Sequence, residues 1–166
     1  MLRIFTRLAD IQFDKLMEVY REGNEEKAQE PGGSRWQAEQ DFYDYLAQAF
    51  FAAPGAAYAV WEENGAYRSA LRLEPYENGL LLEALETAPE QRRRGYAKQL
   101  IMSVLEYLHT QGEIRPVYSH VHKANKPSLY THYTCGFQVH TDYARYLDGS
   151  VRSNMFTLVT YPGRNS

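Results

Sequence analysis

The chain has 166 residues, with 18 lysines and arginines against 21 aspartates and glutamates, and a single cysteine. This length predicts one domain spanning residues 1–166, since about 100–200 residues is typical of a domain. The lone cysteine excludes an internal disulfide framework. The longest apolar run, residues 50–61, is broken by Pro54-Gly55 and is too short to span a membrane. The first residues lack the apolar core of a signal peptide, so we expect a cytoplasmic protein.

The net charge of −3 is divided unevenly along the chain. Residues 1–83 carry 8 basic and 15 acidic side chains, whereas residues 84–166 carry 10 basic and 6 acidic ones. Two interpretations stay open. The division is random scatter over a solvated surface, or the basic half meets an anion and the acidic half meets a cation.

The N-terminal region predicts one strand and two helices. Residues 2–6 form the first strand candidate, and apolar residues at helical spacing predict a helix over about residues 11–22. A polar stretch follows and ends in a Pro-Gly-Gly loop signal. Ser34 and Gln37 form a capping box, which predicts a second helix over about residues 35–51.

The middle of the chain predicts a three-stranded meander followed by a long helix. Strand candidates at residues 57–61, 66–73 and 80–87 are joined by Asn-Gly turns, which tolerate the positive φ that tight hairpins need. A long amphipathic helix then begins near Arg94 and ends at Gly112.

The C-terminal region alternates again. Residues 117–122 predict a strand, Asn125 begins a short helix that Gly136 ends, and residues 137–141 and 154–160 predict the last two strands. The predicted order is β-α-α-β-β-β-α-β-α-β-β, which indicates an α/β fold on a mixed sheet.

The segment Arg92–Ala97 joins the apolar strand to the long helix and is typical of an anion site. A glycine turn at a helix start leaves backbone N–H groups unpaired, and the helix dipole adds partial positive charge at the same point. A pyrophosphate fits such a turn. The alternatives are a solvated, arginine-rich helix start or a nucleic-acid contact, but an acidic chain argues against the latter.

Arg92-x-x-Gly95-x-Ala97, between a strand and a helix, resembles the acetyl-CoA signature of the GNAT superfamily of N-acetyltransferases. Pro89-Glu90 upstream and Asn125-x-x-Ser128 downstream, ending in Gly136-Phe137, also resemble that family. The resemblance implies a mostly antiparallel central sheet of about six or seven strands, flanked by about four helices. It implies an acyltransferase with acetyl-CoA as its co-substrate.

The resemblance also implies a V-shaped opening between the strands that end near Thr87 and His122, and it assigns cofactor contacts. Arg92 begins the signature. Three further groups of contacts follow: pantetheine pairs with the backbone of Leu85, Glu86 and Thr87; pyrophosphate is held by the N–H groups of Arg93, Arg94, Gly95, Tyr96 and Ala97; the thiol end lies beside Asn125 and Ser128.

Acetyl transfer to an amine needs a base, because an amine with a pKa near 10.4 is mostly protonated at neutral pH. The resemblance to polyamine-acetylating members of that family implies Glu83 as the candidate base. Burial in an apolar strand would raise its pKa toward a useful value. We expect Glu86 on the opposite face of the same strand, because side chains alternate. A structural role for both glutamates is the alternative.

The acid that protonates the leaving thiolate is where this sequence departs from the family pattern. The family's tyrosine usually falls seven residues after the equivalent of Asn125, where this chain has His132, with Tyr133 next. Tyr133 serves if the helix register shifts by one residue, and His132 serves as imidazolium. No side chain is needed if the thiolate leaves unaided.

The expected acceptor is an unidentified small-molecule or peptide amine. The acidic run at residues 22–30 either borders the acceptor side or is a solvated face. A late cluster of tyrosines lines a ligand cleft or a homodimer interface; its members are Tyr130, Tyr133, Tyr143 and Tyr146.

Nucleic acid and membrane are not expected partners, and no metal site is predicted, since His120 and His122 have no third ligand at fixed spacing. Two rival functions remain: a non-catalytic acyl-CoA-binding or sensor module, and acetylation of an RNA-linked amine.

Overall fold

A computed structural model describes residues 1–164 of the chain, in which seven strands form one sheet in the order β1-β2-β3-β4-β5-β9-β6. Two short strands pair separately as a β7–β8 hairpin. The strands are β1 (Leu2–Phe5), β2 (Ala57–Glu63), β3 (Ala66–Tyr76), β4 (Gly79–Thr87), β5 (Val117–His122), β6 (Gln138–Thr141), β7 (Ala144–Arg145), β8 (Val151–Arg152) and β9 (Met155–Thr160).

Five α-helices flank the sheet, which is antiparallel except where β4 meets β5. They are α1 (Phe13–Val19), α2 (Arg21–Ala28), α3 (Arg35–Tyr45), α4 (Tyr96–Thr110) and α5 (Lys126–Thr134). Short 3-10 turns lie at Leu8–Asp10 and Pro89–Gln91, and a π-helical turn at Leu46–Phe50 extends α3. The predicted fold class is confirmed.

The N-terminal helix differs from its prediction. The structure replaces one helix over residues 11–22 with α1 and α2, which meet at Tyr20. The acidic stretch predicted as non-helical is therefore helix α2, of whose residues only Asn24 is buried. Apolar spacing could not reveal a helix with almost no buried face, which is stabilised instead by contacts such as the Arg21–Glu25 ion pair at 3.7 Å. The Ser34 cap of α3 is confirmed, because its hydroxyl accepts from the Gln37 N–H at 3.0 Å.

The two faces of the sheet are covered by different helices. On one face, Leu100, Ile101 and Val104 of α4 pack with Leu71 and Leu82 of the sheet. On the other face, α1 and the end of α3 pack over β2 and β3. The helices α4 and α1–α3 thus lie on opposite sides of β4, the central strand.

Strands β4 and β5 pair only at their beginnings. Leu80 and Leu81 are in register with Val117 and Tyr118, and no further pairs follow, although β4 continues to Thr87. The strands therefore diverge, which leaves the β5-facing edge of β4 outside the ladder.

A β-bulge interrupts β4 at this point. Arg72 pairs with Glu83 but Ala70 pairs with Glu86, so β4 contains one extra residue, and Ala84 takes a left-handed φ of 53°. Directly paired residues share a face of the sheet. Since Ala70 and Arg72 share a face, Glu83 and Glu86 do too. The prediction that they face opposite sides was wrong, because it assumed regular alternation.

Within residues 1–164, no helix is both long enough and apolar enough to cross a membrane.

Candidate functional site

A groove of about 590 Å³ opens where β4 and β5 diverge, bounded by the starts of α4 and α5. We call it the α4 groove. Its lining contains the predicted cofactor residues Leu85, Glu86, Thr87, Arg92, Arg93, Gly95, Tyr96, Ala97, Asn125 and Ser128. Arg94, the remaining predicted cofactor residue, lies outside it.

The start of α4 presents unpaired backbone donors to this groove. Gly95 has a φ of 81° and precedes the helix without any side-chain cap. The carbonyl oxygen of Gly95 accepts the first hydrogen bond of the helix, from the Gln99 N–H. The N–H groups of Tyr96, Ala97 and Lys98 therefore have no partner within the helix. Nothing lies within 4 Å of the position that a Cβ on Gly95 would occupy. The turn is therefore open to a ligand.

Arg92 and Arg94, two of the three arginines before Gly95, contact different parts of the molecule. Arg92 forms ion pairs with Glu22 of α2 at 2.7 Å and with Glu86 at 3.7 Å, so its side chain ties α2 to β4 at the groove. Arg94 donates to the side chain of Gln91 at 3.2 Å. These arginines therefore do not form a single cluster of positive charge.

The start of α5 forms the opposite wall. The side chain of Asn125 accepts from the Ser128 N–H at 3.2 Å and so caps the helix. Pro127, Ser128 and Thr131 also line the groove. Both residues predicted to lie beside the cofactor thiol therefore line the groove. The side-chain oxygen of Asn125, however, already accepts a hydrogen bond from the first turn of α5.

His132 is buried behind this wall, with 2% of its surface exposed. Its Nδ1 lies 2.7 Å from the Ser128 carbonyl oxygen and its Nε2 lies 2.9 Å from the Ser119 hydroxyl. Because a carbonyl oxygen only accepts, Nδ1 carries the proton and Nε2 accepts from Ser119. Burial lowers the pKa of His132, which favours the neutral ring over the imidazolium that an acid role requires.

Tyr133 is 44% exposed and does not line the α4 groove. It follows Thr131 by two residues, which corresponds to about 200° around an α-helix. Its side chain therefore leaves α5 on the side opposite the groove.

Glu83 borders a second cavity, of about 500 Å³, on the face of the sheet that α1–α3 partly cover. We call it the hairpin cavity, because the β7–β8 hairpin forms one wall. Its lining is Tyr45, Glu74, Leu81, Glu83, Tyr146, Leu147, Asp148, Ser150 and Arg152. Glu83 and Leu85 are two residues apart, no more than about 7 Å along the strand, so the cavity and the α4 groove approach each other at the bulge.

The environment of Glu83 raises its pKa to about 7, through burial first and then through the neighbouring carboxyl group of Glu74. Arg72 acts in the opposite direction but only partly compensates, because its Nε stays 3.5 Å from Oε1 of Glu83. Among residues 1–164, no donor makes a hydrogen bond to that buried oxygen. Glu86 also has a raised pKa, caused mainly by burial.

Two tyrosines hold the bulge in place. The Tyr20 hydroxyl donates to the carbonyl oxygen of Ala84 at 2.7 Å, and the Tyr58 hydroxyl donates to Tyr20 at 2.7 Å. Burial raises the pKa of Tyr20 well above its usual value and that of Tyr58 to about 12, so both stay protonated donors. They tie α1 and β2 to the irregular point of β4.

Sequence reasoning missed Glu74, Tyr45 and Tyr20, whereas Tyr146 belongs to the predicted tyrosine cluster. Glu74 carried a local signal, since Arg72 and Glu74 are charged residues two apart within an apolar strand, which places both on one face. Nothing local marked Tyr20, whose partner Ala84 is 64 residues away.

The sequence model of the acetyltransferase (GNAT) family matches residues 13–137. The chain belongs to the GNAT acetyltransferase family. It is therefore an acetyltransferase that uses acetyl-CoA as its co-substrate, and the match covers both walls of the α4 groove.

Solved structures share the GNAT fold over nearly the whole chain. The PaiA N-acetyltransferase from Thermoplasma acidophilum, in complex with coenzyme A, aligns with a TM-score of 0.68 at 16% identity, covering 97% of this chain and 99% of that one. Spermidine N-acetyltransferase from Vibrio cholerae, with CoA and spermine, aligns with a TM-score of 0.65 at 17% identity, covering 99% and 96%.

The ribosomal-protein-S18-alanine N-acetyltransferase from Escherichia coli aligns with a TM-score of 0.61 at 16% identity, covering 100% and 99%. A comparison with curated protein sequences gives no match. At such low identity, the structural likenesses show the GNAT fold.

Proposed function

We propose that this GNAT enzyme binds acetyl-CoA in the α4 groove and transfers the acetyl group to a primary amine by direct attack on the thioester. The observation that carries the proposal is the meeting of the groove with a carboxylate of raised pKa at the β4 bulge. Glu83 and Leu85 belong to one strand but border two different cavities. We propose that an acyl group in the groove and an amine in the cavity meet at this point of β4.

The start of α4 fits the pyrophosphate of the cofactor. The unpaired N–H groups of Tyr96, Ala97 and Lys98, together with the helix dipole, favour an anion at this place. Gly95 keeps the approach open, and Arg93 and Lys98 line the groove with positive charge. Arg92 contributes charge at the groove while it is held by Glu22 and Glu86.

The free edge of β4 fits the pantetheine arm. Beyond Leu81 the strand has no ladder partner on its β5 side, so the backbone of Leu85 to Thr87 is available to the amide groups of a ligand. Ser128 and Thr131 supply hydroxyl groups on the opposite wall.

Glu83 is the proposed base. Acetyl-CoA, when bound, supplies an acetyl group on a thiol leaving group. A carboxylate whose pKa is about 7 accepts a proton far more readily than an ordinary glutamate, and half of it is ionised at that pH. Its Oε1 is buried without a hydrogen-bond donor among residues 1–164, which leaves the carboxylate with incomplete stabilisation of its charge.

We propose that the thiolate leaves without an acid from α5. His132 is buried, neutral and hydrogen-bonded through both ring nitrogens, and Tyr133 projects from the opposite side of the helix. A thiol with a pKa of about 8.5 is a good leaving group at neutral pH, so the cost of unaided departure is small. This supports the third of the sequence-based alternatives.

The family and the names of similar structures support an amine as the acceptor. Two of the three neighbours described above are acetyltransferases of a polyamine and of a ribosomal-protein alanine, both of which offer an amine.

Release of free thiol tests the proposal. The protein is mixed with acetyl-CoA and a panel of amines that includes polyamines, arylalkylamines, amino acids and peptides, and calorimetry measures CoA binding separately. We expect CoA to bind and at least one amine to release thiol. Binding of CoA without thiol release for any amine would support a non-catalytic binding module instead.

A further inference from the structure

The hairpin cavity is the feature that the cofactor site leaves unexplained. The end of α3 provides Tyr45, the β7–β8 hairpin provides Tyr146 and Leu147, and β3 and β4 provide Glu74 and Glu83. Aromatic and aliphatic surfaces thus surround two carboxyl groups in a space of about 500 Å³. A positively charged group with an apolar portion complements such a wall.

The acidic run at residues 22–30, which was one candidate border of the acceptor side, offers less to an acceptor amine. Two of its acidic residues are already paired: Glu22 contacts Arg92 at 2.7 Å, and Glu25 lies 3.7 Å from Arg21 and 3.8 Å from Arg35. Besides the α4 groove, whose lining includes Glu22, the described residues form a small cavity of about 120 Å³ between α2 and β4. Negative charge that is matched in this way attracts a cation weakly.

The two carboxyl groups in the hairpin cavity are incompletely matched. Glu74 and Glu83 lie on the same face, and Arg72, the nearest cation on β3, approaches one oxygen of Glu83 at 3.5 Å without a hydrogen bond. The guanidinium of Arg72 also lies over the rings of Tyr45 and Phe50. The other charged or titratable groups that face Glu83 or line its cavity are Tyr20, Tyr45, Tyr58, Tyr146, Asp148 and Arg152.

Asp148 and Arg152 do not change this imbalance. The Asp148 carboxylate accepts from the N–H and the hydroxyl of Ser150, at 2.8 Å and 2.6 Å, and so holds the hairpin turn. Arg152 lies over the ring of Tyr146 at 5.1 Å. The contacts of Asp148 and Arg152 thus lie within the hairpin. The carboxyl groups of Glu74 and Glu83 remain for a ligand to contact.

We infer that the hairpin cavity is the acceptor site, and that it takes an amine without a carboxylate beside it, the ammonium between Glu74 and Glu83 and the hydrocarbon part against Tyr45 and Tyr146. This inference rests on the proposed acetyl transfer and names its acceptor class. A carboxylate next to the amine meets two carboxyl groups of like charge, whereas an arylalkylamine or alkylamine does not.

The proposed step balances in atoms and charge. One ammonium proton passes to the Glu83 carboxylate, and the nitrogen lone pair then forms the bond to the acetyl carbon. The carbon–sulfur bond breaks with its electron pair on sulfur, and the second nitrogen proton, lost as the amide forms, neutralises the thiolate through solvent. Glu74 is a positioning residue, since it holds the ammonium and keeps the pKa of Glu83 high.

Tyramine and tyrosine provide a matched test, because they differ only by the carboxylate. We expect kcat/KM for tyramine to exceed that for tyrosine by on the order of 100-fold in the wild-type enzyme. In Glu74→Gln, this ratio should fall below about tenfold, and the acidic limb of the kcat–pH profile should move to lower pH by about one unit. Glu106→Gln, an exposed substitution on α4, is the control that should change neither.

Several outcomes would overturn the inference. Equal use of tyrosine and tyramine, or a pH profile that does not move in a folded Glu74→Gln, contradicts the acceptor site. If Glu74→Gln does not fold, Tyr146→Ala takes its place, and an unchanged KM for tyramine has the same meaning. Turnover of other amines with neither effect overturns this inference but leaves the proposed function intact. Loss of CoA binding in the wild type would instead contradict the proposed function.

Discussion

Residues of β4 line both the α4 groove and the hairpin cavity, yet the two sites differ in the chemical groups that they present. The groove presents backbone: a glycine turn, the free N–H groups of α4 and the unpaired edge of β4. The cavity presents side chains, chiefly Glu74, Glu83 and two tyrosines. A site made of backbone groups suits a ligand that stays constant, whereas a site made of side chains can vary in what it binds.

The bulge at Ala84 joins the two sites. It places Glu83 and Glu86 on one face, so that Glu83 lines the cavity while Glu86 lines the groove and pairs with Arg92. The bulge is held from outside the strand by Tyr20. The two sites therefore depend on each other through a few residues of β4, and substitutions on either side should separate their contributions.

The largest expected effect is on the groove. Gly95→Glu places a carboxylate where the pyrophosphate is proposed to bind and forces a side chain onto a residue with φ of 81°. We expect CoA affinity to fall by more than about 100-fold in calorimetry, because like charge and lost backbone access act together.

Gly95→Ala is the matched control for backbone strain, since a Cβ there has nothing within 4 Å. It should lose clearly less CoA affinity than Gly95→Glu. Unchanged binding in a folded Gly95→Glu would remove the groove as the cofactor site.

The second largest effect is on the base. Glu83→Gln removes the proposed proton acceptor with little change in size, so kcat should fall by about 10² to 10³-fold while CoA affinity stays as in the wild type. Steady-state kinetics and calorimetry measure the two quantities separately. A kcat within about threefold of wild type would show that another group takes the proton.

The fold and the groove were predictable because their signals are local. The helical stripe of α4, the Asn-Gly turns and the Gly95 turn each occupy a short stretch of sequence. The hairpin cavity was not predictable, because Glu74 meets Glu83 only through the β3–β4 register. The bulge that shifts this register after Glu83 is held by the hydrogen bond from Tyr20 to Ala84. These two residues are 64 positions apart, so no local sequence pattern predicts their contact.

The pH dependence of transfer should follow Glu83. Its pKa of about 7 lies above the ordinary 4.5, so the base becomes protonated as pH falls through 7, and kcat should fall about tenfold per unit below that pH. The native state also binds this proton more tightly than the unfolded chain does. Between pH 4.5 and 7, this carboxyl group therefore lowers the free energy of unfolding as pH rises.

Rate–pH profiles and denaturant titrations over this range measure both effects. Each contribution should vanish in Glu83→Gln, which has no titrating group at that position. If kcat does not change between pH 5 and 8, Glu83 is not the base of the reaction.

A smaller effect is expected at the anchor of the bulge. Tyr20→Phe removes the donor to the Ala84 carbonyl and the acceptor for Tyr58, both partly buried, which should cost about 1–3 kcal/mol of unfolding free energy. A looser bulge misplaces Glu83, so kcat should fall several-fold while CoA affinity changes little. Tyr58→Phe is the control, since it leaves the Tyr20–Ala84 bond intact and should spare kcat more than stability.

The smallest effect is expected at Tyr133, and it decides between the alternatives for the leaving thiolate. Tyr133→Phe removes only a hydroxyl that projects from the side of α5 opposite the groove, so kcat and its alkaline limb should stay within about twofold of wild type. A hundredfold loss in kcat, with stability unchanged, would instead require this hydroxyl to reach the sulfur, which needs a rotated α5. Since Asn125 caps that helix and Leu129 anchors it in the core, such a rotation would break contacts that hold the second wall of the groove.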